Sequence, residues 1–503
     1  MRKIFLFLIP TLLILGSCKK SFLDINQHPN TATESKVTAD LIIPYALATS
    51  GNFSTVSFSG LGRWLGYWAI GSNYATGDEA KYNITTSYGN GIWNGLYDNI
   101  FDYQKAQDKA TATGQDFYVG IAKIMKAYNF QKLVDIFNNV PYTKALDITN
   151  NISPAYDKGA DIYADLLTQI TSGMTLIKNA DAAKNINLAA ADIMFKGDKL
   201  KWAKFGNTLK LRILMQMSQT SFPTAPQIAI INAEGSGFLG AGETAEVNPG
   251  YTSDKPNPFW ASYAFDNAGN YPNDLSRANN YALTLMKNLG DERHKYFYRA
   301  VRSGTFAGQY RGVDYGLPTD PGQIFGQGSL SDIGGAPTSA GGTTGLAKSA
   351  TQGSWILTSY ESMFLQAEAR TRGWLSGSAQ TMYENAVNES FSWLGIPNAG
   401  VFAATYLGST DVKVKWPAAT ADQIKVIAWQ KYFAFNGNNH LGAWNDFRRL
   451  DVVTPAISID PGRIASTIPI RFLFTLDEYS YNAANVTAQG VVNQFTSKVF
   501  WDN

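Results

Sequence analysis

Cysteine is all but missing from this sequence: Cys18 is the only one in 503 residues, which excludes an intrachain disulfide. Histidine is almost as scarce, and His28, His294 and His440 lie far apart, without the spacing of a metal site. Charged residues make up only 16% of the chain, with 42 Lys and Arg against 40 Asp and Glu and no strongly basic block. Nucleic-acid binding draws its affinity from lysine and arginine meeting phosphate, so this balance argues against it. There is no G-x-S-x-G elbow and no glycine-rich nucleotide loop opening a helix after a strand. After Cys18 no apolar stretch is long enough to cross a bilayer as a helix.

What is present begins at the N-terminus. Arg2 and Lys3 precede an apolar run from Ile4 to Leu15, broken only by Pro10 and Thr11; it is too short to span a membrane and reads as a signal peptide. It ends in Leu15-Gly16-Ser17-Cys18, which resembles the lipobox cut by lipoprotein signal peptidase. The expected division is a signal peptide over residues 1–17, a lipidated Cys18 with a polar tether over 18–36, and a single helical domain over 37–503. Each buried methylene contributes about 0.8 kcal/mol and stable anchoring takes two chains, so a multiply acylated Cys18 would stay in a membrane. Removing residues 1–17 takes away Arg2 and Lys3 and no acid, leaving 40 basic against 40 acidic residues. A neutral ligand or a protein partner suits such a chain. Its 12 Trp, 26 Tyr and 28 Phe supply faces that fill cores or stack on sugar rings.

Helical periodicity is plain in two segments. From Phe117 to Phe137 the residues Ile121, Ile124, Met125, Tyr128 and Val134 keep mostly to one face, and Asn138-Asn139-Val140-Pro141 stops the run; from Asp157 onward Ile162, Leu166, Leu167, Ile170, Met174 and Ile177 do the same. Further helices are expected near 38–50, 90–108, 199–219, 279–300, 355–373, 378–394 and 421–436. Few strand signals separate them, which suggests a mostly α protein of stacked helical hairpins in the manner of tetratricopeptide repeats, although no clean 34-residue period is visible. Long irregular regions are expected at 51–90, 221–278, 303–354, 396–420 and 437–490, and loops of that length are commonly functional or disordered. The stretch 303–354 holds thirteen glycines together with Asp314, Asp320 and Asp332.

The ordered motifs resemble the SusD/RagB-like nutrient-binding lipoproteins, closest to the branch related to starch-binding proteins. Phe22-Leu23-Asp24-Ile25-Asn26 with Pro29-Asn30 is similar to the family's opening, and Lys126-Ala127-Tyr128 through Asp135, then Asn139-Val140-Pro141-Tyr142, to its early helix and exit turn. Trp202 through Arg212 matches another helix. Leu289-Gly290-Asp291-Glu292-Arg293 resembles an Asp-Pro-Arg element with Glu292 where proline is usual, a change that could lengthen the helix locally. The strongest match is Tyr360-Glu361-Ser362-Met363-Phe364-Leu365-Gln366-Ala367-Glu368-Ala369, followed by Gln430-Lys431-Tyr432, Asn445 through Arg449, and Ile468-Pro469-Ile470-Arg471 with Glu478 and Asn482. The resemblance covers nearly the whole chain. It implies a tetratricopeptide-like helical core with a loop-rich, irregular second half, carrying long ligand-facing loops at 51–90, 221–278 and 303–354. It also implies a lipid-anchored, surface-exposed protein of the outer membrane that does no catalysis. Such a protein captures an oligosaccharide, or in some members a peptide, and passes it to a SusC-like TonB-dependent transporter.

Candidate ligand contacts are the aromatics of the expected loops with the amides beside them: Trp68, Asn73, Tyr74, Tyr82, Trp260, Tyr263, Tyr310 and Tyr315. Core packing is the competing reading, strongest for Trp64 and Trp68, which would share a face if helical. Glu361 and Glu368, seven apart on an apolar helix, read as partners for arginines such as Arg370, Arg448 or Arg449. The sequence implies no cofactor; a structural calcium on Asp254, Asp266 and Asp274 is conceivable, but their spacing is not that of an EF-hand. Two rivals stand beside ligand capture: a surface glycoside hydrolase working through paired carboxylates, and a helical scaffold that binds no ligand.

Overall fold

The segment with the plainest periodicity becomes the centre of the body. In the computed structural model, helix α3 (Asp116–Phe137) is buried at every residue except Asp116, Lys123 and Lys126. Before it come α1 (Ala39–Val56) and α2 (Asn90–Thr113); after it come α4 (Gly159–Asn179) and α5 (Lys199–Gln216). The structure describes residues 36–502 apart from 267, 272–274, 320–323 and 336–343. Cys18, the tether up to residue 35, Asn267, Asp274 and Asp320 therefore lie outside the described residues.

Neighbouring helices pack as antiparallel hairpins, α2 on α3, α3 on α4 and α5 on α4. Their ends are set by local chemistry. Gly114 stops α2 in the left-handed conformation with its N–H on Ala110 and Thr111, and Asp198 caps α5 by accepting from the N–H groups of Leu200 and Lys201. At the crossing of α3 and α4 two glycines meet: a Cβ on Gly120 would lie 2.6 Å from the Gly173 carbonyl oxygen, and one on Gly173 2.8 Å from that of Gly120. The backbones can approach this closely only without side chains.

The second half is not irregular throughout. Helices α6 (Ser359–Thr371), α7 (Ala379–Trp393), α8 (Ala399–Leu407), α9 (Thr420–Ala434) and α10 (His440–Leu450) form a second group, with α6 on α7 and α9, and α7 on α8. Among the described residues of this half, irregular chain is concentrated in 299–319, 324–335, 344–353 and 451–475. The expected loops 51–90 and 221–278 also carry short helices, Ser59–Trp64, Thr224–Glu234 and Pro258–Tyr263. The stretch 279–300 is two helices, Asn280–Asn288 and His294–Phe297, so Glu292 does not lengthen the first; the chain turns there around a buried Asp291–Arg293 ion pair at 2.7 Å.

Three two-stranded sheets tie distant loops together: β1 (Trp68–Ile70) with β5 (Ser276–Ala278), β2 (Val140–Pro141) with β3 (Tyr156–Asp157), and β4 (Ala245–Val247) with β6 (Ser354–Leu357), all antiparallel. The β1–β5 ladder pairs Trp68 with Ala278 and Ile70 with Ser276. It holds the loop that follows β1 against the chain that precedes β5. Ala39–Asn503 forms one compact unit. Among the described residues no helix is long and apolar enough to cross a membrane.

Candidate functional site

The loop leaving β1 is fastened on both sides and still presents side chains outward. Ser72 N–H donates to the Phe325 carbonyl at 3.0 Å, Tyr74 N–H closes a turn on Gly71, and the Gln327 N–H donates to Asn73 Oδ1. Gln327 Nε2 reaches the Leu275 carbonyl at 3.3 Å, and Arg277 Nε reaches the Gln327 carbonyl at 3.1 Å. Gly71 permits the approach, since a Cβ there would meet Gln327 Cδ at 3.0 Å. Around this junction Tyr74 is 36%, Leu275 48% and Ile324 57% exposed, with Asn73 exposed and Phe325 half-buried. Rings beside fixed planar amides can cover the apolar face of a sugar while meeting its hydroxyls.

Of the residues singled out from sequence, Asn73 and Tyr74 meet here. The others do not join them. Trp68, Tyr82, Trp260, Tyr263 and Tyr315 are all buried, each under 6% exposed, so their faces are covered by neighbouring side chains and have no room for a ligand. Trp68 lies against Tyr263 at 5.0 Å and His440 at 4.6 Å, on a strand and not on a helix face shared with Trp64. Tyr82 donates none of its ring to solvent; its hydroxyl accepts the Ser458 N–H at 2.7 Å. Tyr315 donates to Glu79 at 3.2 Å, and Tyr310, half-buried, packs edge-on against His294 at 5.1 Å. Aromatic density in these loops therefore anchors them to the core.

Glu79 is the knot of that anchoring. Burial pushes its carboxyl up, but the Arg63 guanidinium, at 2.5 and 2.8 Å, with hydroxyls from Tyr88 and Tyr315, outweighs this and holds it below the usual carboxylate value. Sequence reasoning missed Leu275, Phe325 and Gln327, which reach Asn73 and Tyr74 only through tertiary contact.

The family-like motifs converge elsewhere, on a narrow cavity of about 60 Å³ lined by Lys132, Arg212, Glu361, Lys431, Asp446 and Arg449. Arg212 meets Glu361 at 3.4 Å, Lys431 meets Asp446 at 2.5 Å, and Lys132 Nζ donates to Ser54 Oγ at 2.9 Å while lying 4.0 Å over the Tyr128 ring. Burial, reinforced by Arg212, drives the Lys132 amine well below the usual lysine range. A space of this size suits a few waters and not a sugar. Glu368 pairs with Arg449 and Arg372, and Glu361 with Arg212, so the arginine partners are found, with Arg372 and Arg212 in place of Arg370 and Arg448. Among the described residues no group of three His, Cys, Asp or Glu could hold a metal ion. Asp266 spends its carboxylate on the N–H groups of Ala268 and Asn270.

Stacked helical hairpins carrying pinned, partly aromatic loops and an outward ring-and-amide patch define a helical protein of tetratricopeptide-like build. The chain belongs to the SusD-like family, whose model, described as starch-binding and associating with the outer membrane, matches residues 29–474. Solved structures share the fold. A SusD homolog from Bacteroides fragilis is 19% identical with a TM-score of 0.73, over 93% of this chain and 100% of that one. A chitin-binding SusD homolog from Flavobacterium johnsoniae is 21% identical with a TM-score of 0.74, over 92% and 98%. A SusD homolog from Bacteroides ovatus is 19% identical with a TM-score of 0.73, over 92% and 99%. Among curated proteins no relative matches the chain.

Proposed function

We propose that this protein is a cell-surface lipoprotein, acylated at Cys18, that captures an oligosaccharide and hands it to a TonB-dependent transporter without acting on it chemically. The observation that carries the reading is membership of a starch-binding, outer-membrane-associated family over residues 29–474. The lipobox at Leu15–Cys18 and the formally neutral mature chain support it from sequence. The ligand contacts we assign are Asn73 and Tyr74, joined by Phe325 and Gln327, because these combine exposed ring surface with amides held in place by backbone bonds. The Gln327 side chain contributes by position: its Nε2 donates to the Leu275 carbonyl at 3.3 Å and holds the two sides of the patch together.

The test is calorimetry of the purified protein against a glycan panel that includes chito-oligosaccharides, the ligand class of one relative of this fold. A binding glycan is expected to lose about tenfold or more in affinity with Tyr74→Ala, and likewise with Asn73→Ala, while the melting temperature stays put. Trp68→Ala and Tyr263→Ala are the controls: each deletes a core ring and costs about 3–5 kcal/mol of stability. Binding that survives both Tyr74→Ala and Asn73→Ala unchanged would move the site elsewhere, and turnover of the glycan would replace capture with hydrolysis.

A further inference from the structure

Helix α3 emerges from the core at one place along its middle. Lys123 and Lys126, three residues apart and so on one face, open into a surface groove of about 420 Å³ walled by α2, α4 and the chain after β2. That volume lies in the range of small-ligand sites. The hydrogen bonds of the two ammonium groups go to neutral oxygens: Lys123 Nζ donates to Gln169 Oε1 at 2.9 Å and Lys126 Nζ to Gln104 Oε1 at 2.5 Å. The acids stand one step further out. Gln104 Nε2 donates to Asp108 Oδ1 at 2.7 Å, and Gln169 Nε2 to Asp165 Oδ2 at 3.2 Å. Each glutamine is thereby oriented with its oxygen toward a lysine and its NH2 toward a carboxylate, and an amide's length separates every charge from its opposite.

The remaining acids of the groove are already engaged. Asp165 also accepts the Tyr142 hydroxyl at 2.5 Å, and Asp147 takes the side-chain amides of Asn150 and Asn151 at 3.0 Å. Two ammonium groups are left side by side without a carboxylate in contact. Burial first, and then repulsion from Lys123, bring Lys126 down to about 8 against the pull of Asp108. A negative group bridging the pair would relieve that repulsion. Beside them Tyr142, half-buried, stands edge-on to Phe130 at 4.7 Å, next to the exposed Thr143.

We propose that this groove is a second ligand subsite that reads a carboxylate carried on a sugar, a uronic acid unit, with Lys123 and Lys126 sharing the carboxylate and Tyr142 flanking the ring. The sugar half rests on the saccharide-capture reading above; the anion half rests on the two lysines. It makes the protein selective for acidic glycans at a place remote in sequence from Asn73 and Tyr74.

The experiment is calorimetry of the full chain in detergent with a galacturonate trisaccharide, chitotriose as the neutral counterpart, and sodium acetate. Uronate binding is expected to exceed neutral binding and to weaken as salt rises from about 0.05 to 0.5 M. Lys123→Gln with Lys126→Gln should reduce it by about tenfold to a hundredfold, the two arginine replacements should restore it, and neutral-glycan binding should not move. Neutral binding with no uronate preference overturns this subsite alone, as does a double glutamine variant that binds uronate like the parent. Acetate as tight as the trisaccharide overturns the sugar half. Failure of every saccharide, neutral or acidic, overturns the capture reading together with this one.

Discussion

Glu368 on α6 and Arg449 on α10 form a two-pronged ion pair, Arg449 Nη1 to Glu368 Oε1 at 2.7 Å and Nη2 to Oε2 at 2.8 Å, with neither side chain exposed to solvent. Burial pushes Glu368 up, but Arg449 and then Arg372 overcome it and hold the carboxyl far below its ordinary value. Arg449 also reaches Asp446, which in turn holds Lys431. A chain of charges thus joins α6, α9 and α10 beside the cavity that Lys431, Asp446 and Arg449 line.

Removing one partner of such a pair strands the other. Glu368→Gln is expected to destabilise the fold by about 3–5 kcal/mol in urea titration, toward the lower end because Asp446 still faces Arg449. Arg372→Gln leaves the Glu368–Arg449 pair whole and should cost clearly less. The folded-state value of Glu368 is depressed, so its contribution is present above the unfolded carboxylate value of about 4.3 and is lost as pH falls below it toward the folded value. Equal costs for the two variants would show that the pair contributes no more than a single hydrogen bond.

His440 carries a second, separable pH effect. Its Nδ1 lies 3.1 Å from the Phe58 carbonyl and its Nε2 accepts the Gly437 N–H at 3.1 Å, an arrangement that only the neutral ring with its proton on Nδ1 satisfies. Burial, with a smaller push from Arg63, lowers the ring to about 3. The unfolded histidine takes a proton below about 6.5 and the folded one does not, so stability is full above that value and falls by about 1.4 kcal/mol per pH unit down toward 3. The slope between pH 6 and 5 should flatten in His440→Gln; His294, also lowered by burial, supplies what remains. An unchanged slope would mean that His440 is protonated in the folded protein.

The sequence carried the helical core well: α4 keeps its apolar side chains to one face at the 3.6-residue spacing, α3 is long and apolar although it is buried nearly all round, and the two end at Ala180 and at Asn138. It hid α10. That helix is only 11 residues long and buries Asn445, Arg448 and Arg449 among Leu441, Ala443 and Trp444, so charged and polar side chains interrupt the apolar ones on its inward face. The same substitution of charge for hydrophobicity explains why Glu361 and Glu368 were legible as ion partners while the identity of each arginine was not, since that choice is made by packing across elements. The candidate site was legible only where a residue lies at a loop's outer edge. Tyr74 and Tyr82 look alike in sequence, eight residues apart in polar chain, yet the Tyr82 side chain points inward, its hydroxyl accepting the Ser458 N–H, and no local signal distinguishes the two.

The contact of Gly120 with Gly173 gives a prediction about the helical body itself. Gly120→Ala places a methyl 2.6 Å from a backbone carbonyl and 2.5 Å from Ile177 Cγ1, and neither can withdraw far: the first belongs to α4, and the second is buried in the core. Alanine is the better helix former by about 1 kcal/mol, so on propensity alone the change would stabilise. Steric overpacking works the other way by about 1–3 kcal/mol, and here it acts on two rigid neighbours at once. The larger effect wins, and the variant should melt lower than the parent. Gly91→Ala, at the first turn of α2 with nothing within 4 Å of the added carbon, is the matched control and should melt no lower than the parent. If Gly120→Ala matched that control, α3 and α4 would have to separate at no cost, and the close crossing would not be what sets their packing.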